Sequence, residues 1–231
     1  MQHTDKYKLD LIEKEDAFSP DALNANTQKV EEALIAHEGA VKEVTDGLDA
    51  LAAVALSRTL GLNDGAVRAG LAHVRVPGRA QRVPIPAPFE VIVDYAHNGA
   101  SFDALLSALA EHHPRRILAV FGAGGDRPKL RRADMARSAA RWADYAVVTT
   151  DNPRSERPAD ICGQISAALG DFPHEVIPDR RAAIFRALEL ARPGDVVALL
   201  GKGHEEHIEE QGVRRPWSEV EAVQAYFAVQ R

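Results

Sequence analysis

The sequence predicts a doubly wound α/β domain over residues 89–231, preceded by a short helical segment. Three observations carry that expectation. From Glu90 onward, short apolar runs alternate with amphipathic helix-like stretches, the pattern of βα units on a parallel sheet. Runs such as Val196-Val197-Ala198-Leu199-Leu200 are continuously apolar, as strands covered on both faces must be. Polar and glycine-rich clusters follow the strand ends, where open α/β sheets bind their ligands.

Taken in order, residues 1–47 form an acidic segment without a defined pattern, helix-compatible over 21–36 but weakly periodic. Residues 48–88 read as a helical segment followed by a proline-rich linker. Leu51, Val54 and Ala55 lie on one helix that stops at Leu60-Gly61, and Val67, Leu71 and Val74 mark one face of a second. Pro84, Pro86 and Pro88 then exclude a helix or a central strand, which leaves a linker or an edge strand at a domain boundary. Beyond them, strands are expected at 90–94, 116–121, 145–150, 174–177 and 195–200, and helices at 101–111, 133–142, 158–169 and 180–191. The third of these helices carries Ile161, Ile165 and Leu169 on one face. A Rossmann-like, mostly parallel sheet with helices on both faces results. The stretch 207–213 is a candidate antiparallel edge strand turning at Gln211-Gly212, and Val220, Val223 and Phe227 give a closing helix.

The formal net charge of -6 over 231 residues argues against a nucleic-acid binder. The acidity is local: residues 1–50 carry 5 Lys against 12 Asp and Glu, and the other 181 carry 23 basic against 22 acidic residues. The lone Cys162 cannot form an internal disulfide, which fits a reducing compartment. With no signal-peptide core and no apolar run of about 18 residues, a cytoplasmic protein without a membrane partner is expected.

Four loops at strand ends carry chemistry. Asp94-Tyr95-Ala96-His97-Asn98-Gly99 offers an acceptor for a ribose hydroxyl, a ring for a base and an imidazole for a phosphate, or is an ordinary polar turn. Gly122-Ala123-Gly124-Gly125-Asp126-Arg127-Pro128-Lys129 combines close backbone approach with two cations, or is a flexible βα turn. No Gly-x-x-x-x-Gly-Lys-Ser/Thr loop occurs. In Thr149-Thr150-Asp151-Asn152-Pro153-Arg154, Pro153 fixes its own φ and biases Asn152 away from the helical region. Asp151 then suits an ammonium and Arg154 a carboxylate, the two ends of a zwitterion, although the cluster also reads as a helix-entry turn. In Gly201-Lys202-Gly203-His204-Glu205-Glu206-His207 the histidine spacing is not that of a zincin, and Glu205 is an acceptor for an ammonium or a solvated side chain.

Together with Val76-Pro77-Gly78-Arg79, these loops resemble, in order, the motifs of the C-terminal domain of the Mur ligase family, ATP-dependent enzymes that add amino acids to the peptidoglycan precursor. The resemblance runs from about Leu48 to Phe227. Asp151-Asn152-Pro153-Arg154 is similar to the motif of the members that add meso-diaminopimelate, while His97-Asn98-Gly99 departs from their usual His-Thr-Pro and is closer to the lysine-adding relatives. The resemblance implies a substrate site of Arg127, Asp151, Asn152, Pro153, Arg154, Gly201 and Glu205. In it the arginines take the distal carboxylate, and Glu205 with the Gly201 carbonyl takes the distal ammonium. It implies Arg79, Asp94, Tyr95 and His97 at the ATP ribose and phosphates.

The implied reaction is peptidoglycan-precursor synthesis. ATP phosphorylates the carboxylate of UDP-N-acetylmuramoyl-L-alanyl-D-glutamate and the diaminopimelate amine attacks the acyl phosphate, with Mg²⁺ on the family's central domain. No P-loop and no metal ligand are expected in these residues. Negligible turnover by the chain alone is therefore expected, with an amino-acid-binding module, a split ligase completed by a separate ATPase chain, or an inactive fragment as the alternatives.

Overall fold

The computed structural model describes residues 3–4, 9–10, 47–73, 76–112 and 114–229. Two compact units divide between Arg75 and Val76. In the first, β1 (His3–Thr4) pairs antiparallel with β2 (Leu9–Asp10). Helices α1 (Gly47–Thr59) and α2 (Asp64–His73) follow, joined by Gly61 at φ +78 and by an Arg58–Asp64 ion pair at 2.7 Å. Asn63 caps α2 by accepting from Ala66 N–H at 2.8 Å. The helix read over residues 21–36, and Val74, lie outside the described residues.

The second unit carries the alternation read from the sequence. Its elements are β3 (Gln81–Arg82), β4 (Glu90–Asp94), α3 (Gly99–Glu111), β5 (Ile117–Phe121), α4 (Leu130–Trp142), β6 (Tyr145–Val148), α5 (Pro158–Leu169), β7 (His174–Val176), α6 (Arg180–Leu190), β8 (Val196–Leu200), β9 (His207–Glu210), β10 (Val213–Pro216) and α7 (Glu219–Val229). Six strands form one sheet in the order β3-β4-β8-β5-β6-β7. Every pair is parallel except β3 on β4, where Gln81 faces Val93.

Because side chains alternate across a strand, each central strand feeds two cores. Ile117, Ala119 and Phe121 of β5 pack with Phe102, Met135 and Ile165 from α3, α4 and α5. Leu118 and Val120 of the same strand join Ile184 and Ala187 of α6 and Val223 of α7 on the opposite face. Leu199 is fully buried, which is why β8 is apolar without interruption.

The proline-rich stretch, read as a linker or an edge strand, supplies the antiparallel edge strand at Gln81–Arg82. One feature differs from the sequence reading. The segment around Gln211-Gly212 instead turns a separate two-stranded hairpin of β9 and β10, with Gln211 at φ +49 and Gly212 at φ +74. Among the described residues no helix is long and apolar enough to cross a membrane.

Candidate functional site

Since β4, β5, β6 and β8 run parallel and adjacent, the four loops that follow them leave the same end of the sheet. They enclose a cleft of about 330 Å³. Arg127, Asp151, Asn152, Arg154, Gly201 and Glu205 line it, with Tyr95 and His97 from the loop after β4. Six of the seven expected substrate residues and two of the four expected nucleotide residues thus share one space. Pro153, Asp94 and Arg79 do not line it.

Backbone contact between loops gives the cleft its shape. Gly125 N–H donates to Asn152 O at 2.8 Å, and a Cβ on Gly125 would sit 1.9 Å from Pro153 O, so only glycine permits this approach. Pro153 contributes through that carbonyl and through its buried ring. Arg154 follows with φ +50, a conformation uncommon for a side chain of its size. Three contacts hold it there: its N–H donates to Glu209 O at 3.0 Å, its carbonyl accepts from Gln211 N–H at 2.7 Å, and Nη1 donates to Gly125 O at 2.7 Å. The β9–β10 hairpin is therefore the clamp on Arg154, a role that no local sequence signal announced.

The acidic side of the cleft is buried. Asp151 is 6% exposed, Asn152 5% and Lys202 0%. Glu205 Oε2 accepts from Asn152 Nδ2 at 2.7 Å and from Lys202 Nζ at 2.6 Å. Burial, the largest single influence on Glu205, pushes its carboxyl up, but the Lys202 ammonium and the Asn152 amide together outweigh it and leave the group below the ordinary value of 4.5. Gly201 adopts φ +104, and a Cβ there would meet Asp151 Oδ2 at 2.7 Å.

The cationic side belongs to the loop after β5 and the start of α4. Arg127 and Arg131 line the cleft and make no side-chain hydrogen bond or ion pair among the described residues. Arg132, only 2% exposed, donates to Gln164 Oε1 and Glu156 Oε1, both at 2.7 Å. The hydrogen bond from Arg132, and after it the Asp126 backbone N–H, hold the Glu156 carboxyl below its usual range.

On the expected nucleotide side, Arg79 stacks over the Tyr95 ring at 4.8 Å, with the His97 and His204 rings at 4.8 and 5.0 Å from it. Burial raises the Tyr95 phenol above its ordinary value, and the charges of Glu205 and Asp151 add to the effect. His97 Nδ1 lies 2.8 Å from Tyr95 O, and because a carbonyl only accepts, Nδ1 carries the hydrogen. Asp94 is turned inward: its oxygens accept from Ala80 N–H at 2.7 Å and Ala96 N–H at 2.6 Å, fixing the loop that carries Tyr95. Asn98 caps α3, accepting from Ser101 N–H at 2.9 Å, while Asn98 N–H donates to Ser101 Oγ at 3.2 Å. Threonine and asparagine both cap helices, so the departure at this position keeps the local geometry.

Three buried cations, Arg132, Lys202 and Arg180, carry no local sequence signal of their role. Lys202 stands inside the Gly201–His207 loop, but its partners Asn152 and Asp151 come from the loop after β6. Arg180 begins α6, where an arginine reads as exposed. Instead it is 2% exposed and donates to Thr150 O at 3.0 Å and Leu200 O at 2.9 Å, the chain positions just before Asp151 and Gly201.

Residues 78–203 match the family described as Mur ligase, glutamate ligase domain. The chain is 43% identical over 159 residues to the UDP-N-acetylmuramoyl-L-alanyl-D-glutamate--2,6-diaminopimelate ligase of Caldanaerobacter subterraneus subsp. tengcongensis, covering 68% of this chain and 33% of that protein. A solved structure of a ligase of the same description superposes with a TM-score of 0.63 at 32% identity, covering 78% of this chain and 37% of the other. Mycobacterium tuberculosis folylpolyglutamate synthase, solved with ADP and AMPPCP, gives a TM-score of 0.54 at 26% identity, covering 65% and 36%. The chain thus spans about a third of the length of the relative it matches. With more than half of its residues, and all four cleft loops, inside or directly bordering the matched region, this chain belongs to the Mur ligase family.

Proposed function

We propose that this chain is the amino-acid-recognising part of an ATP-dependent ligase that adds meso-diaminopimelate to UDP-N-acetylmuramoyl-L-alanyl-D-glutamate. One observation carries the reading: a single cleft joins Arg127 and Arg154 to Asp151 and Glu205. Such a bipolar space fits a substrate bearing both a carboxylate and an ammonium far from the reacting amine. Arg154, with Arg127 beside it, takes the distal carboxylate as a charge-assisted pair. Glu205, Asp151 and the Gly201 carbonyl take the distal ammonium. Lysine lacks that carboxylate and would leave the guanidinium groups unmatched, so the site rejects it. The names of the relatives support the same substrate.

The nucleotide belongs on the Tyr95 side. Arg79 and His97 form a donor set suited to phosphate and ribose oxygens, with Tyr95 as an apolar wall, and Asp94 holds their loop in place. ATP, when bound, supplies the phosphoryl group that activates the acceptor carboxylate. Mg²⁺ and phosphoryl transfer are assigned to groups outside this unit, in the same protein or on a separate ATPase chain, because the sequence carries no Gly-x-x-x-x-Gly-Lys-Ser/Thr loop. The contribution of this chain is to bind and orient the amine donor.

Titration calorimetry of the intact chain with meso-diaminopimelate and with L-lysine tests the reading. A charged hydrogen bond is worth about 1.5–3 kcal/mol, so diaminopimelate should bind about 10- to 100-fold more tightly. Equal affinities would sink the assignment.

A further inference from the structure

We infer that Lys202 is a positioning residue of the amino-acid site: its buried ammonium locks Glu205 and Asn152 into one arrangement and leaves the pocket with room for a single substrate ammonium. The inference rests on reading the cleft as an amino-acid site.

The geometry is fully specified. Lys202 has three N–H donors and three acceptors within reach, Asn152 Oδ1 at 2.9 Å, Glu205 Oε2 at 2.6 Å and His207 O at 2.6 Å. Asn152 Oδ1 also accepts from Glu209 N–H at 2.9 Å. With two donors facing its oxygen, the amide has one possible orientation, and Nδ2 must point at Glu205. Glu205 Oε2 thus accepts from both Lys202 and Asn152, and the Tyr95 hydroxyl also bonds to this carboxylate. Asp151 Oδ1 stands 3.6 Å from the same ammonium, so two carboxylates share one internal cation and carry a net single negative charge, the complement of one incoming ammonium.

A methionine would fill the space of the lysine stem, but it removes one side of the cluster and leaves two carboxylates without their cation, so a loss of stability accompanies it. What the apolar replacement would lose is the hold on Glu205. That carboxylate faces Lys202 from its own loop, Asn152 and Asp151 from the loop after β6, Tyr95 from the loop after β4, and His207 at the start of β9. Arg79 stacks on the far side of Tyr95. Without Lys202, only the Asn152 amide and the His207 ring would stand against burial, the largest influence on this carboxyl, and burial favours the protonated acid.

The test uses the intact chain with Lys202→Met and, as a second replacement retaining an amide donor, Lys202→Gln. Calorimetric affinity for meso-diaminopimelate is measured from about pH 6 to about pH 8, alongside a ¹³C NMR titration of the Glu205 carboxyl. The unaltered protein should bind with a flat profile, whereas both variants should bind about tenfold more weakly near pH 6 and recover as pH rises, with the Glu205 titration moved up by more than about two units. A purely structural lysine would lower binding to the same extent at every pH and leave the Glu205 titration where it was, which would overturn the inference while the amino-acid site stands. If the unaltered protein binds no diaminopimelate at any pH, the reading of the site itself falls, and this inference with it.

Discussion

Arg180 Nε and Glu219 Oε1 lie 2.6 Å apart, each side chain about 1% exposed, and this ion pair ties the last helix to the mouth of the cleft. The remaining nitrogens of Arg180 reach Thr150 O and Leu200 O, so one guanidinium spans the ends of β6 and β8 across the intervening β5. Asp151 and Gly201 each follow one of these carbonyls. Glu219 compensates the charge and also accepts from Trp217 Nε1 at 3.3 Å.

Breaking this pair from one side leaves a buried charge without its partner. Arg180→Met alone or Glu219→Leu alone is therefore expected to cost about 3–5 kcal/mol in urea unfolding, and the double replacement clearly less than the sum. Additive losses would show that the two groups act independently.

The core makes a simpler demand. Leu199 is fully buried in β8 among residues of the α6 and α7 face, and Leu199→Ala is expected to cost about 2–5 kcal/mol. A neutral result would mean that this face of β8 is not packed as described.

Arg154 separates backbone strain from side-chain function. Its φ of +50 suits glycine, so Arg154→Gly should leave the unfolding midpoint unchanged or raised, while the loss of the guanidinium removes diaminopimelate binding. A pronounced drop in melting temperature would instead make Arg154 a structural residue.

Acid and base should each loosen the cluster at the β6–β7 edge. Tyr145 donates to Glu175 Oε1 at 2.8 Å, and Arg186 donates to both Glu175 oxygens. The Arg186 hydrogen bond lowers the Glu175 carboxyl, a contribution present in full above 4.5 and lost as pH falls below it. Burial first, then Glu175, pushes the Tyr145 phenol up to about 12, a contribution present in full below 10 and lost as pH rises toward 12. Urea midpoints across pH should show both declines, and Tyr145→Phe should flatten the alkaline one.

Much of this was legible in the sequence because the determinants are local. The alternation of apolar strands and amphipathic helices follows from side-chain period, and it located every strand of the parallel sheet. Parallel pairing then obliges the following loops to converge, which is why motifs more than 100 residues apart, Asp94-Tyr95 and Gly201-Lys202, line one end. What was not legible depends on contacts between distant loops. Arg132 and Arg180 look like helix surface residues until Glu156, Gln164, Thr150 and Leu200 are brought to them. Asp94 looks like a ligand group until its oxygens are seen to hold two backbone amides. The β9–β10 hairpin has an ordinary turn signal, and only the bonds to Arg154 reveal why it is there.

The most direct measurement is a ¹⁵N–¹H titration of the chain with meso-diaminopimelate and, separately, with L-lysine. Diaminopimelate should shift the amides of Gly124, Arg127, Asn152, Arg154, Gly201 and Glu205 together, whereas lysine should leave those of Gly124, Arg127 and Arg154 in place. Shifts at Arg127 and Arg154 of equal size with both amino acids, or shifts confined to residues outside the cleft, would contradict the claim that these arginines read a second carboxylate.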